Sequence, residues 1–454
     1  MKKVLILAGR FPPFDNPGAR RPAGLYKYLG DFNWEAWVVT PDPQLAPNPY
    51  SYAPSDNLKF DESRVIRTNF TQYTHPGHWL LAKLPPRNKS DAQPANKSPS
   101  SMREAHRSLK LKLSSGFNGA AKLVREVALF PDPQFGWYRD GLNAARGLSA
   151  QIGFDAVIST SGPETCHLIA YALAREESHP IPWIADYRDL WSQKFSRERS
   201  AFVAWLDRWL EKKVLRKAAA ITTVSDPFTQ KIERLGLDKP VHTILNGFDP
   251  DDYRMLPANP RQDKLIITYA GAIYPGFRDP KPFLETLLFL INQNEIDPEK
   301  LEVHFFVHQT GTIDQMVASL GLEGVAKVYE RIPRAELLPK LSEASVLWVL
   351  DWMDARETGN IPAKVYEYIG CRRFILATGG RGDSEVARLL RLSNIGQHAP
   401  NDPERLSQAL LGIYRQFIER GAGTFVLSWK TIQPYNQRIM AKQFAHLLDH
   451  TYHY

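Results

Sequence analysis

Long apolar runs are missing from this chain of 454 residues. No stretch of about 18 consecutive apolar residues occurs, so the sequence offers no segment able to cross a bilayer as a helix. Its start, Met1-Lys2-Lys3-Val4-Leu5-Ile6-Leu7-Ala8, is basic and then apolar but runs on into Gly-Arg-Phe-Pro-Pro without a small-residue cleavage site. It reads as a first buried β-strand rather than a secretory leader. Cysteine is nearly absent: Cys166 and Cys371 are too few for a disulfide framework or a zinc site, which favours a reducing cytoplasm. The twelve histidines do not gather into a metal set, although His167, near Ser159-Thr-Ser-Gly-Pro163, stands close to a candidate loop. There is no P-loop, no Ser/His/Asp motif and no repeat of solenoid period. The G-x-G-x-x-G fingerprint is missing too, which disfavours a nicotinamide oxidoreductase.

What is present is a large apolar fraction, 43%, and an excess of cations, net +8. The first allows a sizeable core and two domains. The second suits an acidic partner: a nucleotide diphosphate, an anionic lipid surface or nucleic acid. Nucleic acid is the poorest fit, because the basic residues are spread between loops instead of interleaving with aromatics on one face.

Continuous apolar runs alternate with helical stretches, the pattern of a doubly wound sheet covered on both faces. Strands are expected at Lys3–Ala8, Glu35–Thr40, Val65–Asn69, Ala156–Thr160, Trp183–Asp186, Ala220–Ser225 and Val241–Leu245, with helices at Pro22–Gly30, Cys166–Glu177, Phe202–Lys217 and Pro227–Leu235. The grammar restarts at Lys264, with strands expected at Leu265–Gly271, Val303–His308, Lys327–Tyr329, Val346–Leu350 and Phe374–Thr378. The expectation is an α/β protein of two Rossmann-like domains, 1–250 and 262–429, and a crossover helix in 430–454, interrupted at Pro434. A mobile insertion at about 70–130 breaks the pattern; Leu84–Ser101 is poor in apolar groups, and Arg103–Lys112 mixes leucines with cations, either as a membrane-surface segment or as a solvated helix beside a floppy loop.

Chemistry is expected at the carboxyl ends of strands, where open α/β sheets bind ligands. The loop Glu357-Thr-Gly-Asn-Ile-Pro-Ala-Lys-Val-Tyr-Glu367 leads into a helix whose first N–H groups suit phosphate, with Glu367 a turn further on to accept from a ribose diol. Arg278 and Lys281 stand at another helix start, where cations oppose the dipole and call for an anionic partner. Gly18, Arg20 and Arg21 occupy the first strand–helix connection and suit a diphosphate or an acceptor. Asp186-Tyr-Arg188-Asp189 places two carboxylates and a guanidinium in four residues, either to hold acceptor hydroxyls and act as a base or as a structural Arg–Asp network.

Taken in order, Phe11-Pro-Pro-Phe with Gly18 and Arg20–Arg21, Ile181-Pro-Trp-Ile-Ala-Asp-Tyr-Arg-Asp-Leu-Trp191, Thr223-Val-Ser225, Asn246-Gly-Phe-Asp249 and Ile361-Pro-Ala-Lys-Val-Tyr-Glu-Tyr368 resemble the GT-B glycosyltransferases of group 1 (family 4-like), which retain anomeric configuration. The resemblance implies a nucleotide-sugar donor as substrate and no cofactor. Glu367 would take the ribose, Gly359, Asn360, Ile361, Pro362 and Ala363 the phosphates or sugar, and Lys364, Arg278 and Lys281 the diphosphate, with Gly18 approaching it. Arg20, Arg21, Asp186 and Arg188 would face the acceptor, and Asp189 would join Arg278 and Lys281 in catalysis. It further implies a glycan or lipid-linked acceptor, surface-polysaccharide assembly, and a cytoplasmic protein in peripheral contact with an anionic membrane. Two positions depart from the pattern. Gly359 stands where many members carry glutamate, and no histidine follows the strand ending in Asp186-Tyr-Arg-Asp189. No convincing Asp-x-Asp metal motif is present, since Asp249-Pro-Asp-Asp252 sits in the linker. The rivals are a catalytically silent scaffold, which Gly359 keeps open, and a nucleotide-sugar epimerase or phosphorylase.

Overall fold

A computed structural model describes residues 1–14, 17–44, 61–70, 121–176, 181–194, 197–256, 259–274, 276–354, 356 and 358–451. Most of the expected basic insertion, including Leu84–Ser101 and Arg103–Lys112, lies outside the described residues.

Two parallel sheets organise the described chain. The first holds β1 (Lys2–Ala8), β2 (Trp34–Pro41), β3 (Val65–Thr68), β4 (Ala156–Thr160), β5 (Trp183–Tyr187), β6 (Ala220–Thr223) and β7 (Val241–Thr243), in the order β3-β2-β1-β4-β5-β6-β7. The second holds β8 (Leu265–Ala270), β9 (Leu301–Val307), β10 (Ala326–Glu330), β11 (Val346–Asp351), β12 (Phe374–Gly379) and β13 (Gly396–Ala399), in the order β10-β9-β8-β11-β12-β13. Central strands are buried from end to end, as in β4, β8 and β11, because helices cover both faces. That is why they read as unbroken apolar runs. Each sheet reverses its winding once, between β1 and β4 in the first and between β8 and β11 in the second, and the crevice for a ligand opens outside such switch points.

Two local features depart from the sequence reading. β13 was not expected, because Gly-Gln-His-Ala is weakly apolar and forms only an outer strand, paired with β12. The first helix begins at Pro17, not Pro22, and runs to Tyr28 with Pro22 inside it. Proline has no N–H, so the carbonyl of Gly18 loses its helical donor. Arg188 supplies the replacement: its Nη1 donates to the Gly18 carbonyl, and its Nη2 donates to the carbonyl of Gly162 at 3.0 Å.

After Phe425 the chain returns to the first sheet. The helix Trp429–Ile432 ends in a 3-10 turn at Gln433–Tyr435, and the helix Gln437–Thr451 follows. Its Met440, Ala441, Phe444 and Leu448 pack into the core built by Val4, Ile6, Phe11, Leu25 and Trp34. Burying Phe444 alone is worth about 1.5–3 kcal/mol. This clasp holds the two sheets together, reinforced by Trp34 Nε1 donating to Asp449 at 3.1 Å and by Gln437 N donating to the Phe248 carbonyl at 2.8 Å. Among the described residues, no helix is long and apolar enough to cross a membrane.

Candidate active site

The loops that leave β8 and β11 at the second switch point come together around Lys364. This lysine lies in the first turn of the helix Ala363–Gly370, and its ammonium points back under the β8 loop. The Nζ sits 4.2 Å from the centre of the Tyr269 ring. Gly271, at φ +139°, leaves the space beside it; a Cβ there would lie 2.4 Å from Nζ. The ammonium is buried and has no hydrogen-bond partner. Burial, and then the neighbouring charge of Arg278, pull its pKa from the ordinary 10.5 down to about 7, with Glu367 opposing them.

Arg278 is the second cation of the cluster. A short bridge to Tyr274 shapes its loop, with Arg278 N donating to the Tyr274 carbonyl at 2.7 Å. Its guanidinium lies over Trp352, 5.0 Å from the ring centre, and Phe277 stacks on Trp352 at 5.3 Å. The Nε is buried without an acceptor. Two cations thus stand together, and among the described residues no carboxylate is hydrogen-bonded to the Lys364 ammonium or to Arg278 Nε.

Glu367, one turn after Lys364, is already engaged. Arg20 of the first lobe reaches its Oε1 at 2.6 Å, and Arg334 donates Nε to the same oxygen at 2.9 Å. Burial by itself raises a carboxyl, but the two guanidiniums hold this one below the usual range. Arg334 also pairs with Asp252 at 2.8 Å and donates to Tyr253 Oη at 3.2 Å. Arg20, Lys27, Asp252, Arg334 and Glu367 line an interlobe cavity of about 80 Å³.

The loop before that helix crosses to the first lobe. Gly359 has φ +100°, and a Cβ built on it would come within 2.5 Å of Phe228 and 3.0 Å of Ser225 Oγ. Lys231 Nζ donates to the Thr358 carbonyl at 3.2 Å. Asn360 is exposed, Ile361 is buried, and Pro362 and Ala363 lead into the helix. The departure at Gly359 therefore has a local cause: neither the backbone nor the Phe228 ring leaves room for a glutamate side chain.

Several expected residues stand elsewhere. Arg21 and Asp186 are both sealed in, forming a buried pair at 2.9 Å, and Asp186 also accepts from Thr160 and Thr222 at 2.8 and 2.7 Å. Burial would raise Asp186, but Arg21 and the two hydroxyls hold it low. The pair is a buried Arg–Asp network joining β5 to the first helix. Arg188, expected on the acceptor side, spends its guanidinium on the carbonyls of Gly18 and Gly162. Gly18 itself lies buried in the first turn of its helix. Lys281 opens the helix Lys281–Asn292, but its half-exposed ammonium meets Glu285 at 3.5 Å, so its charge is answered on the outer face of its own helix. Asp189 keeps a half-exposed carboxylate, 3.6 Å from Lys194, and is the open acid of the Asp186–Asp189 segment. His167 belongs to the core: it is fully buried, 2.7 Å from Ser159 Oγ, stacked on Tyr187, and burial takes its pKa down to about 3.

Sequence reasoning missed Arg334 and Phe228. Arg334 carried the same signal as Arg278, a cation at the start of a helix, here Arg334–Glu343. Phe228 carried no signal short of the fold. The acidic linker also gained partners: Asp249 accepts from Lys27 at 2.8 Å and Asp252 pairs with Arg334, which neutralises both.

Residues 105–247 match the family described as glycosyl transferase 4-like domain. Solved structures align over nearly the full length. Sucrose-phosphate synthase from Thermosynechococcus elongatus is 15% identical, with 99% of each chain covered and a TM-score of 0.57. A glycosyltransferase from Rickettsia africae is 10% identical, covering 99% of this chain and 98% of its own, with a TM-score of 0.58. A trehalose 6-phosphate synthase from Burkholderia multivorans is 12% identical over 99% of each chain, with a TM-score of 0.56. At such identities the likeness is one of fold. Comparison with curated proteins gives no match. The chain has the GT-B fold of two Rossmann-like sheets, and its residues 105–247 are similar to a glycosyl transferase 4-like domain. The resemblance to group 1 glycosyltransferases of GT-B type is thereby borne out.

Proposed function

We propose that the protein is a retaining glycosyltransferase that moves a sugar from a nucleotide-diphosphate sugar to a glycan or lipid-linked acceptor in surface-polysaccharide assembly. The observation that carries this reading is the buried, unpartnered Lys364 ammonium beside Arg278, at the switch point of the second sheet. A pyrophosphate placed against Lys364 and Arg278 would share its charge with both cations and with the first N–H groups of the helix Ala363–Gly370. Glu367 would then accept from the ribose diol. Because Arg20 now occupies that carboxylate, nucleotide binding would exchange the Arg20 ion pair for ribose hydrogen bonds. When the glycosidic bond to the phosphate breaks, the electron pair goes to the departing diphosphate, which the two cations stabilise without a metal. The diphosphate oxygen can in turn take the acceptor proton if both are held on the same face of the sugar. Asp189 is the first-lobe acid with an open carboxylate to orient that acceptor.

Calorimetry with UDP and GDP tests the site. One of the two should bind, with Glu367→Ala and Arg278→Ala each weakening binding at least about tenfold, a loss near 1.4 kcal/mol. No binding by either nucleotide would favour a silent scaffold on the same fold. Turnover of nucleotide sugar without any acceptor would favour an epimerase.

A further inference from the structure

The helix Ala201–Leu215 has an exposed face. Phe202, Trp205 and Trp209 are 58%, 61% and 46% exposed, and their spacing puts them on one side of the helix. Arg208, Lys213 and Arg216 are exposed on or beside that side, and Lys213 Nζ lies 4.8 Å from the Trp209 ring centre. The acids of the helix go the other way. Asp207 is buried against Arg199 and Trp191, each at 3.0 Å, and Glu211 is buried against Ser192. The outer face is therefore aromatic and cationic, with its acids turned in. The patch continues past the start of the helix: Ser200 N donates to Glu126 at 2.8 Å, and Leu123 and Val127 beside it are exposed.

We infer that this face seats the protein on an anionic lipid bilayer, with Phe202, Trp205 and Trp209 entering the headgroup layer and the flanking cations meeting lipid phosphates. The chemistry selects the occupant. Indole rings suit the boundary between headgroups and acyl chains, and lysine and arginine stems lie along apolar surface while their charges reach outward. A second copy of the chain is the wrong complement, since a two-fold contact would press this cationic face against itself. The inference extends the reading of a lipid-linked acceptor, but its test needs no sugar transfer, so the two fail separately.

Full-length protein is sedimented with vesicles of phosphatidylcholine alone and of phosphatidylcholine mixed with phosphatidylglycerol, at low and high salt. The parent should partition to the anionic vesicles, less so at high salt, and hardly to the neutral ones. The triple variant Phe202→Ser, Trp205→Ser, Trp209→Ser should partition at least about tenfold less, with unchanged circular dichroism. Lys213→Glu with Arg216→Glu, a milder surface change, should abolish the preference for anionic vesicles. Three results would overturn the inference: no binding by the parent, equal binding by parent and triple variant, or a parent dimer by light scattering that the triple variant converts to monomer.

Discussion

Lys364 ties the proposed chemistry to stability, because its ammonium is buried and among the described residues finds no hydrogen-bond partner. An amine depressed from 10.5 to about 7 is largely neutral in the folded protein at pH 8 and charged in the unfolded chain. The folded state therefore loses stability as pH falls from above 10 toward 7, by as much as ~5 kcal/mol, and no more below that. Lys364→Met removes the penalty and keeps most of the volume. It should raise the melting temperature at pH 7 while weakening nucleotide binding at least about tenfold. A structural lysine would show the opposite pairing, lower stability and intact binding. In the parent, nucleotide binding at pH 8 should draw up to one proton from solution, because the phosphate stabilises the charged amine. Calorimetry in buffers of different ionisation enthalpy reads that uptake directly, and its absence from the parent would remove Lys364 from the site.

At the scale of elements, the first helix shows how one residue's defect is met by another far along the chain. Pro22 deprives the Gly18 carbonyl of its donor, and Arg188 provides one from the β5 loop. Arg188→Met should cost about 1–3 kcal/mol in urea unfolding, the usual penalty for unpaired buried carbonyls. Pro22→Ala restores the missing N–H and should recover part of that loss, so the two changes should be non-additive. Additivity would mean that the Gly162 carbonyl, Arg188's other acceptor, carries the effect.

The same helix marks what could be read in advance. Strands β1, β4, β8 and β11 were legible because both faces are buried and the apolar run is continuous. The Lys364–Glu367 helix was legible because its loop chemistry is local. The segment from Asp186 to Asp189 was legible only as a cluster of charge. Whether Asp186 faced solvent or a guanidinium depended on Arg21, 165 positions away, and on Thr160 and Thr222 from the flanking strands. Lys281 and Arg334 carry the same signal at helix starts, yet one finds Glu285 on its own helix and the other finds Glu367 on another. Pattern alone could not rank them.

Across the whole molecule, polar contacts between the two lobes among the described residues include Arg20 with Glu367, Lys231 with the Thr358 carbonyl, and Arg388 with Asp226. Between the last two, Gly359 lies against Phe228. This packing leaves no room for a glutamate at position 359. Gly359→Glu forces a side chain into φ +100° and drives its Cβ into the Phe228 ring, so either the loop or the lobes must yield. The variant should melt several degrees lower, because strain of about 1–3 kcal/mol enters where the two lobes touch. Paired with Phe228→Ala, which has its own core-packing cost, it should lose less than the sum of the two single changes, since the ring is gone while the backbone strain stays. If nucleotide affinity also falls in Gly359→Glu and recovers in the double variant, the interlobe contact itself sets the geometry of the site. A variant as stable as the parent, binding nucleotide as well, would show that the loop accommodates glutamate and that the close approach of Gly359 to Phe228 does not govern the crevice.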